Sequence, residues 1–290
     1  EVSEISKPAW KNAKLAQQWT NKLKQYAYPV IGQRAIGEVD SDHVVEILMP
    51  LWQRKNETAT RLRGRIESVL DWATVKGWRK GDNPARFKGH MEYLLPKVRA
   101  GTKSHHASLP YEELPKFLTK LKAETGMARY ALEFLILCAS RTGEVVGAQW
   151  EEIDLAKGIW TIPGDRMKAG KEHRVPLGKR TLEILTTIRP FSGKKFIFIT
   201  CKKDVAMSTM AMAMLLRRME VTAATVHGMR STFRTWAGER SGYPFEVCEH
   251  ALAHRLSDAV AAAYLRSDFF AKRINLMADW EKFCLSECSA

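Results

Sequence analysis

Three short strand-like runs interrupt a sequence in which helical periodicity dominates on both sides, and they limit the fold classes that this chain can adopt. The runs are residues 158–163, 173–177 and 195–199, and each is rich in β-branched, aromatic or other apolar side chains. The Gly- and Lys-containing stretch between the first two predicts a β-hairpin, and the third run predicts one more strand. From there to the end the pattern is helical. The sequence therefore predicts a mainly α protein with a small antiparallel sheet.

The first part of the chain is predicted to be entirely helical. From about residue 7 to residue 86, apolar residues recur three to four positions apart. Pro29 and Gly32 predict a break in the first helix, and Asp40 opens a cluster of N-cap residues for the next one. A further helix is predicted for residues 58–75, and its polar face carries three arginines: Arg61, Arg63 and Arg65.

A basic segment without apolar periodicity separates this helical part from the rest. Residues 96–108 include Gly101 and Lys103 and contain no helical or strand pattern. A helix signal resumes after residue 109, where a proline in the first turn is followed by two acidic residues. We therefore predict a helical domain at residues 1–100, a linker at 101–108 and a second domain at 109–290.

The charge of the chain favours a polyanionic partner. Its 46 Lys and Arg residues outnumber 32 Asp and Glu residues, which gives a net charge of +14. A generally basic soluble protein is the alternative interpretation. The positive residues are spread along the chain, so a nucleic-acid surface would belong to the folded body.

Cysteine usage and hydropathy narrow the class of protein further. The five cysteines form no CxxC pair, which argues against a disulfide framework and a zinc finger and fits a reducing cytoplasm. No stretch approaches the roughly 20 apolar residues of a membrane span. The sequence therefore predicts a cytoplasmic protein without a membrane partner.

Two cationic motifs are the first candidates for a site. Arg141 lies at the end of an apolar helix, with Glu144 three residues later; an arginine that caps helix-end carbonyls and pairs with the glutamate is the alternative. Lys168, Lys171 and Arg174 lie at the predicted hairpin tip, which by itself would be a solvated turn. The Gly and Lys residues there do not have the spacing of a phosphate-binding P-loop, so we reject that motif.

Two more motifs follow in the helical C-terminal part. His227 and Arg230 are three residues apart, so on a helix they share a face and can converge on one anion. His254 precedes Tyr264 by ten residues. His250 and His254 have metal-ligand spacing, but the glutamate of an HExxH motif is missing, so no zinc site is predicted. Taken alone, each of these residues also fits an ordinary structural role.

The order and spacing of these motifs closely resemble the tyrosine recombinase, or phage integrase, family. That family has an Arg, a hairpin Lys, His-x-x-Arg, a His or Trp and a nucleophilic Tyr, with an acidic residue after the first Arg. The matching residues in this chain are Arg141, Glu144, Lys168, His227, Arg230, His254 and Tyr264. The resemblance covers about residues 109–285, and the helical part before it looks like the family's core-binding domain.

Further stretches resemble integrases of the phage P4 type. They are residues 160–163, 175–177 and 277–280. That branch ordinarily carries an N-terminal arm-type DNA-binding domain without a counterpart among these 290 residues, so arm-site binding is not expected of them.

The resemblance implies a fold and an activity. The fold would be an all-α, SAM-like core-binding domain plus an α+β catalytic domain. The activity would be site-specific recombination through a 3′-phosphotyrosyl intermediate on Tyr264, without cofactor or metal. Lys168 would protonate the leaving 5′-oxygen and His254 would bind the phosphate. The candidate DNA contacts are Arg61, Arg63, Arg65, Lys103, Lys171 and Arg174.

The resemblance also implies partners and leaves alternatives open. The partners are double-stranded DNA carrying an attachment core site, three further copies of the chain in a synaptic tetramer, and accessory DNA-bending or excision factors. The location would be the bacterial cytoplasm, at the nucleoid. A type IB topoisomerase uses a similar pocket, and a non-catalytic DNA-binding descendant is a third possibility. The amphipathic segment 269–283 either docks on a neighbouring protomer or packs in its own domain.

Overall fold

The computed structural model describes residues 13–98, 107–200, 204–254 and 267–286. The chain divides into two compact units, Glu1–Lys103 and Ser104–Ala290. Each unit has its own hydrophobic core. In the described ranges, no helix combines the length and the hydropathy required to cross a membrane.

The first unit is helical in all its regular elements among the described residues. Its α-helices are α1 (Ala13–Lys22), α2 (Tyr28–Ile31), α3 (Ser41–Trp52), α4 (Asn56–Val75) and α5 (Glu92–Leu94). Asp40 caps α3 as predicted, because its side chain accepts the His43 backbone N–H at 3.0 Å. Apolar residues spaced along α4, including Leu62, Ile66 and Leu70, are buried in the core.

Pro29 does not break the first helix, contrary to the prediction. A π-helical turn, Leu23–Ala27, joins α1 to α2, and the Tyr28 N–H donates to the Leu23 carbonyl five residues back. Pro29 lies in the first turn of α2, directly after this π-helical turn, and the helix accommodates it there. The helical path ends at Gly32, which is the second predicted breaker.

The second unit is mainly helical with one small sheet. Its α-helices are α6 (Leu114–Ala123), α7 (Met127–Leu137), α8 (Thr142–Val146), α9 (Lys179–Ile188), α10 (Ala211–Arg218), α11 (Gly228–Glu239), α12 (Phe245–Ala251) and α13 (Phe270–Cys284). Its strands are β1 (Ile153–Asp154), β2 (Ile159–Ile162) and β3 (His173–Pro176), in the order β1-β2-β3. This arrangement confirms the predicted fold class.

The predicted hairpin is confirmed, but the predicted third strand is wrong. β2 and β3 pair antiparallel, with Trp160 opposite Val175, and Trp160 and Ile162 are buried against the core. The third strand of the sheet is β1, which precedes the hairpin. Residues 195–199 form only isolated bridges, through Phe196 and Ile199. Burial explains the apolar run there, since Phe198 is fully buried.

The C-terminal helix α13 packs against the core of its own unit, which is one of the two alternatives that the sequence left open. Trp280 is fully buried, and its indole N–H donates to the Ile136 carbonyl of α7 at 2.9 Å. Its ring also contacts Phe233 and Trp236 of α11, with centroids 5.2 and 4.9 Å away. These contacts hold together three helices that border the candidate site.

Candidate active site

Two helices end in the same kind of turn, and each turn leads into a predicted site residue. Ala139 after α7 and Ala253 after α12 have left-handed backbones, with φ of 47° and 48°. In both turns, the amide that follows the left-handed residue donates to a carbonyl five residues earlier, at 3.0–3.1 Å. This pattern is a Schellman C-cap. It ends each helix abruptly and directs the chain into Arg141 and His254.

Arg141 is held by the acidic residue that the sequence paired with it. Its Nη1 donates to Glu144 Oε1 at 2.8 Å, and its backbone N–H donates to Glu144 Oε2 at 2.8 Å. Glu144 is buried in the first turn of α8. The carboxylate therefore fixes both the backbone and the guanidinium of Arg141, as the structural alternative for this motif required.

The second arginine meets the first at one carbonyl oxygen. Arg230, buried on α11, donates through Nη1 to the Ala139 carbonyl and through Nη2 to the Leu252 carbonyl at 2.6 Å. Arg141 Nη2 donates to the same Leu252 oxygen at 3.4 Å and to the Ala253 carbonyl at 3.2 Å. The Nη2 atoms of the two arginines therefore lie close together, because both are within hydrogen-bonding distance of the Leu252 oxygen. We call Arg141 and Arg230 the arginine pair.

The arginine pair creates a local excess of positive charge. Burial lowers the pKa of Arg230 to about 10, and the neighbouring charge of Arg141 adds to this effect; Glu144 and Glu249 oppose it. Two guanidinium groups side by side offer planar sets of N–H donors that match the oxygens of a phosphate. A bound anion would relieve the repulsion between them.

Both predicted histidines lie near the arginine pair: His254 contacts Arg230, and His227 precedes Arg230 by three residues in the sequence. His254 forms hydrogen bonds with Glu249 Oε2 at 2.8 Å through Nδ1 and with Arg230 Nη2 at 3.2 Å through Nε2. His227 is exposed and immediately precedes α11. The N–H of Gly228, the first residue of α11, donates to Thr225 Oγ1 at 2.9 Å.

Lys168 lies exposed in the hairpin between β2 and β3. The stem of this hairpin is tied to α8, because Arg166 Nη2 donates to the Glu144 carbonyl at 2.6 Å. Arg166 also forms a salt bridge with the buried carboxylate of Glu152. Lys168 therefore lies two residues after Arg166, whose side chain these bonds hold in place. Lys171 is exposed in the same hairpin.

Arg174 is engaged within the protein. Its guanidinium donates to Asp268 Oδ2 at 2.7 Å and stacks on the ring of Phe270 at 4.3 Å. The buried Arg273 donates to the same Asp268 oxygen at 3.0 Å and to the Arg174 carbonyl at 2.6 Å. We call Arg174, Asp268 and Arg273 the Asp268 clasp. It joins strand β3 to the start of α13, so Arg174 has a structural role in the free protein, and its contact with DNA stays a prediction.

Two predicted residues lie outside the described ranges, and three lie in the first unit. Tyr264 and Lys103 are in the segments 255–266 and 99–106. On α4, Arg61 is exposed, whereas Arg63 is mostly buried, pairs with Glu67 at 2.7 Å and stacks on Phe87. Arg65 donates to a carbonyl of α1 at 3.1 Å. The guanidinium of Arg63 is thus engaged within the unit, and its contact with DNA stays a prediction.

Sequence reasoning missed two residues near this cluster. Glu249 contacts His254, as described above. His173 begins β3, close enough to Arg273, Arg141 and Arg230 for their charges to act on it. Burial lowers the pKa of His173 to about 4, and the charge of Arg273 contributes next. No sequence signal marked either residue, because both are ordinary members of a helix or a strand.

The low pKa of His173 predicts a loss of stability in mild acid. The unfolded chain binds a proton at His173 below about pH 6.5, whereas the folded chain resists protonation down to about pH 4. The stability that depends on neutral His173 is therefore present above pH 6.5 and is lost as the pH falls towards 4. The free energy of unfolding should fall by at most about 3 kcal/mol over this range. Urea unfolding of wild type and His173→Gln across this range should show a shallower pH dependence for the variant. Parallel curves would contradict the expectation.

Family models match most of the chain. Residues 1–90 match the model for the phage integrase central domain, and residues 108–270 match the model for the phage integrase family. The chain belongs to the phage integrase family, which confirms the resemblance.

Individual relatives and a solved structure agree with this assignment. Prophage integrase IntA of Escherichia coli (strain K12) is 31% identical over 270 residues, covering 89% of this chain and 62% of IntA. The integrase of Enterobacteria phage P4 is 28% identical over 278 residues, covering 89% of this chain and 62% of the relative. The chain thus spans less than two thirds of the length of these relatives. A crystal structure of a lambda integrase tetramer bound to a Holliday junction shares the fold, with a TM-score of 0.68 at 15% identity, covering 89% of this chain and 76% of the lambda chain.

Proposed function

We propose that this chain is the core-binding and catalytic part of a site-specific tyrosine recombinase that integrates or excises a mobile element. The observation that carries the proposal is the arginine pair, whose two Nη2 atoms donate to one carbonyl oxygen. Two guanidiniums focused on one small region suit a single phosphate of DNA. The net charge of +14 favours the same partner.

In the proposed reaction, the Tyr264 oxygen attacks the phosphorus and the bond to the 5′-oxygen breaks. Negative charge builds on the non-bridging oxygens, where Arg141 and Arg230 stabilise it. Lys168 donates a proton to the departing 5′-oxygen, and His227 assists by accepting the proton that the Tyr264 hydroxyl loses. Glu144 orients Arg141 and does not touch DNA. The resulting 3′-phosphotyrosyl bond keeps the energy of the phosphodiester, so a 5′-hydroxyl of another strand reverses the attack.

The two units would make different contacts with DNA. The first unit acts as the core-binding domain, and Arg61 is its most exposed candidate contact among the three arginines of α4. Lys103 and Lys171 would contact the DNA backbone. Four copies assemble on two attachment core sites, as the lambda integrase tetramer does on a Holliday junction, and accessory DNA-bending or excision factors set the direction. The protein would act at the bacterial nucleoid.

A suicide DNA substrate carrying the candidate attachment core tests the proposal. Cleavage of this nicked duplex releases a short fragment, so the covalent adduct accumulates. We expect an adduct that survives SDS and forms in the presence of EDTA, since the scheme uses side chains only. Relaxation of supercoiled DNA that lacks a core site, without strand exchange, would favour a type IB topoisomerase instead. DNA binding without any adduct would favour a non-catalytic descendant.

Replacing Arg230 with lysine should slow adduct formation by at least about 100-fold. Lysine keeps the positive charge but lacks the planar fork that reaches both a helix-end carbonyl and a phosphate. The measurement is the rate of adduct formation on the suicide substrate, with thermal unfolding as a check on folding. Arg240→Lys, at the exposed end of the same helix, is the matched control and should leave the rate unchanged. A wild-type rate in Arg230→Lys would refute the role of the arginine pair.

A further inference from the structure

Four side chains from two neighbouring helices and the turn after α12 form a continuous polar chain beside the arginine pair. Arg230 and Arg234 are one turn apart on α11. Glu249 belongs to α12, and His254 follows the left-handed turn at its end. We call these four residues the polar chain.

Glu249 lies at the centre of the polar chain and binds two partners at once. Its Oε1 accepts from Arg234 Nε at 2.5 Å, and its Oε2 is 2.8 Å from His254 Nδ1. The Glu249 side chain is mostly buried, with 14% of its surface exposed. The His254 backbone N–H also donates to the Glu249 carbonyl at 3.0 Å. The glutamate therefore holds both the backbone and the ring of the histidine.

This geometry defines the protonation of the histidine ring. Burial alone would raise the pKa of Glu249, but the hydrogen bonds from Arg234 and His254 bring it below its ordinary value. An ionised carboxylate only accepts hydrogen bonds, so Nδ1 of His254 carries a proton. Nε2 then accepts from Arg230 Nη2 at 3.2 Å, and the ring is neutral in the free protein.

Several charges act on this ring. Burial lowers the pKa of His254, the hydrogen bond to Glu249 raises it, and the charges of Arg230 and Arg141 lower it. An arriving phosphate would offset the charges of the arginine pair. The carboxylate of Glu249 would then remain to stabilise a second proton on Nε2, and this N–H would point at the anion.

We infer that Glu249 is a positioning residue, which fixes the ring of His254 and allows it to become the cationic donor to the phosphate. The cationic role of His254 on DNA rests on the proposed function. The first half of the inference, that Glu249 fixes the His254 ring, rests only on the geometry of the free protein. The arrangement parallels the way in which carboxylates fix the tautomer of metal-bound or catalytic histidines elsewhere.

Nitrogen NMR of the free protein tests the first half without DNA. With ¹⁵N-labelled histidine, and His254→Gln to assign the signals, we expect the Nδ1–H tautomer at neutral pH. In Glu249→Gln, the pKa of His254 should fall by about 1 unit, because the neutral amide no longer stabilises the imidazolium. Glu246→Gln, on the same helix but outside the polar chain, should leave it unchanged. A predominant Nε2–H tautomer, or an unchanged pKa in Glu249→Gln, would overturn the inference.

The pH profile of adduct formation tests the second half. A cationic His254 makes the rate fall as the pH rises through its pKa in the complex. In Glu249→Gln this fall should move to lower pH by about 1 unit, with a neutral-pH rate reduced by about 10-fold or more. Glu246→Gln should follow wild type. If wild type forms the adduct and the Glu249→Gln profile superimposes on it, the inference fails while the proposed function stands. Absence of an adduct in wild type would defeat the proposed function, and the NMR result would still decide on Glu249.

Discussion

Replacing Tyr264 with phenylalanine is expected to abolish the covalent adduct on the suicide substrate while DNA binding persists. The substitution removes the single oxygen that is proposed to bond to phosphorus and changes little else. The loss should be at least about 1000-fold, the scale that applies when a covalent catalyst loses its nucleophile. SDS gels measure the adduct, and a mobility shift on the same duplex measures binding.

Tyr243→Phe is the matched control for this experiment. The Tyr243 hydroxyl donates to Asp279 Oδ2 at 2.7 Å. Burial, followed by that hydrogen bond, raises the pKa of Tyr243 to about 12, which makes its oxygen a poor nucleophile. The control should therefore keep the adduct. The assignment of Tyr264 fails if Tyr264→Phe retains the adduct, and Tyr243 becomes the nucleophile if Tyr243→Phe loses it.

Replacing Trp280 with alanine should destabilise the larger unit by about 3–5 kcal/mol. The substitution empties a fully buried site between α7, α11 and α13. It also leaves the Ile136 carbonyl without its indole partner. For a unit of this size, the midpoint of thermal unfolding should fall by about 10 °C.

Two further variants show whether packing is responsible for this loss. Trp280→Phe fills part of the volume without the N–H donor, so it should lie between wild type and Trp280→Ala. Ile274→Ala changes an exposed side chain on the same helix and should stay within about 0.5 kcal/mol of wild type. Equal losses for Ile274→Ala and Trp280→Ala would contradict the claim that burial of the indole determines the stability.

Local patterns predicted the elements that local interactions form. Apolar spacing predicted α4, and Asp40 predicted the start of α3. Two apolar runs around a Gly- and Lys-containing stretch predicted the β2–β3 hairpin. The prediction failed where neighbours in space decide the structure. Residues 195–199 look like a strand because the run is apolar, and Ile197 and Phe198 are fully buried. The run nevertheless forms only isolated bridges. Strand β1 has two residues, too few for any periodicity to appear.

The candidate site was predictable only in part. The spacing of Arg141 and Glu144 identified a pair that the structure brings together, and the order of motifs added Arg230 and His254 through the resemblance. Glu249 was invisible, because a glutamate on a helix usually faces solvent. Only the left-handed turn at Ala253 folds the chain back so that a residue five positions later reaches its carboxylate.

The Asp268 clasp has a mechanical consequence for the proposed reaction. Asp268 follows Tyr264 by four residues, and Arg174 follows Lys168 by six. In an in-line displacement, the attacking and departing oxygens approach and leave the phosphorus from opposite sides. The groups proposed to serve those two oxygens are thus tethered, by short lengths of chain, to one carboxylate. A substitution at Asp268 would displace both groups, so the rates of strand cleavage and of strand rejoining should fall together.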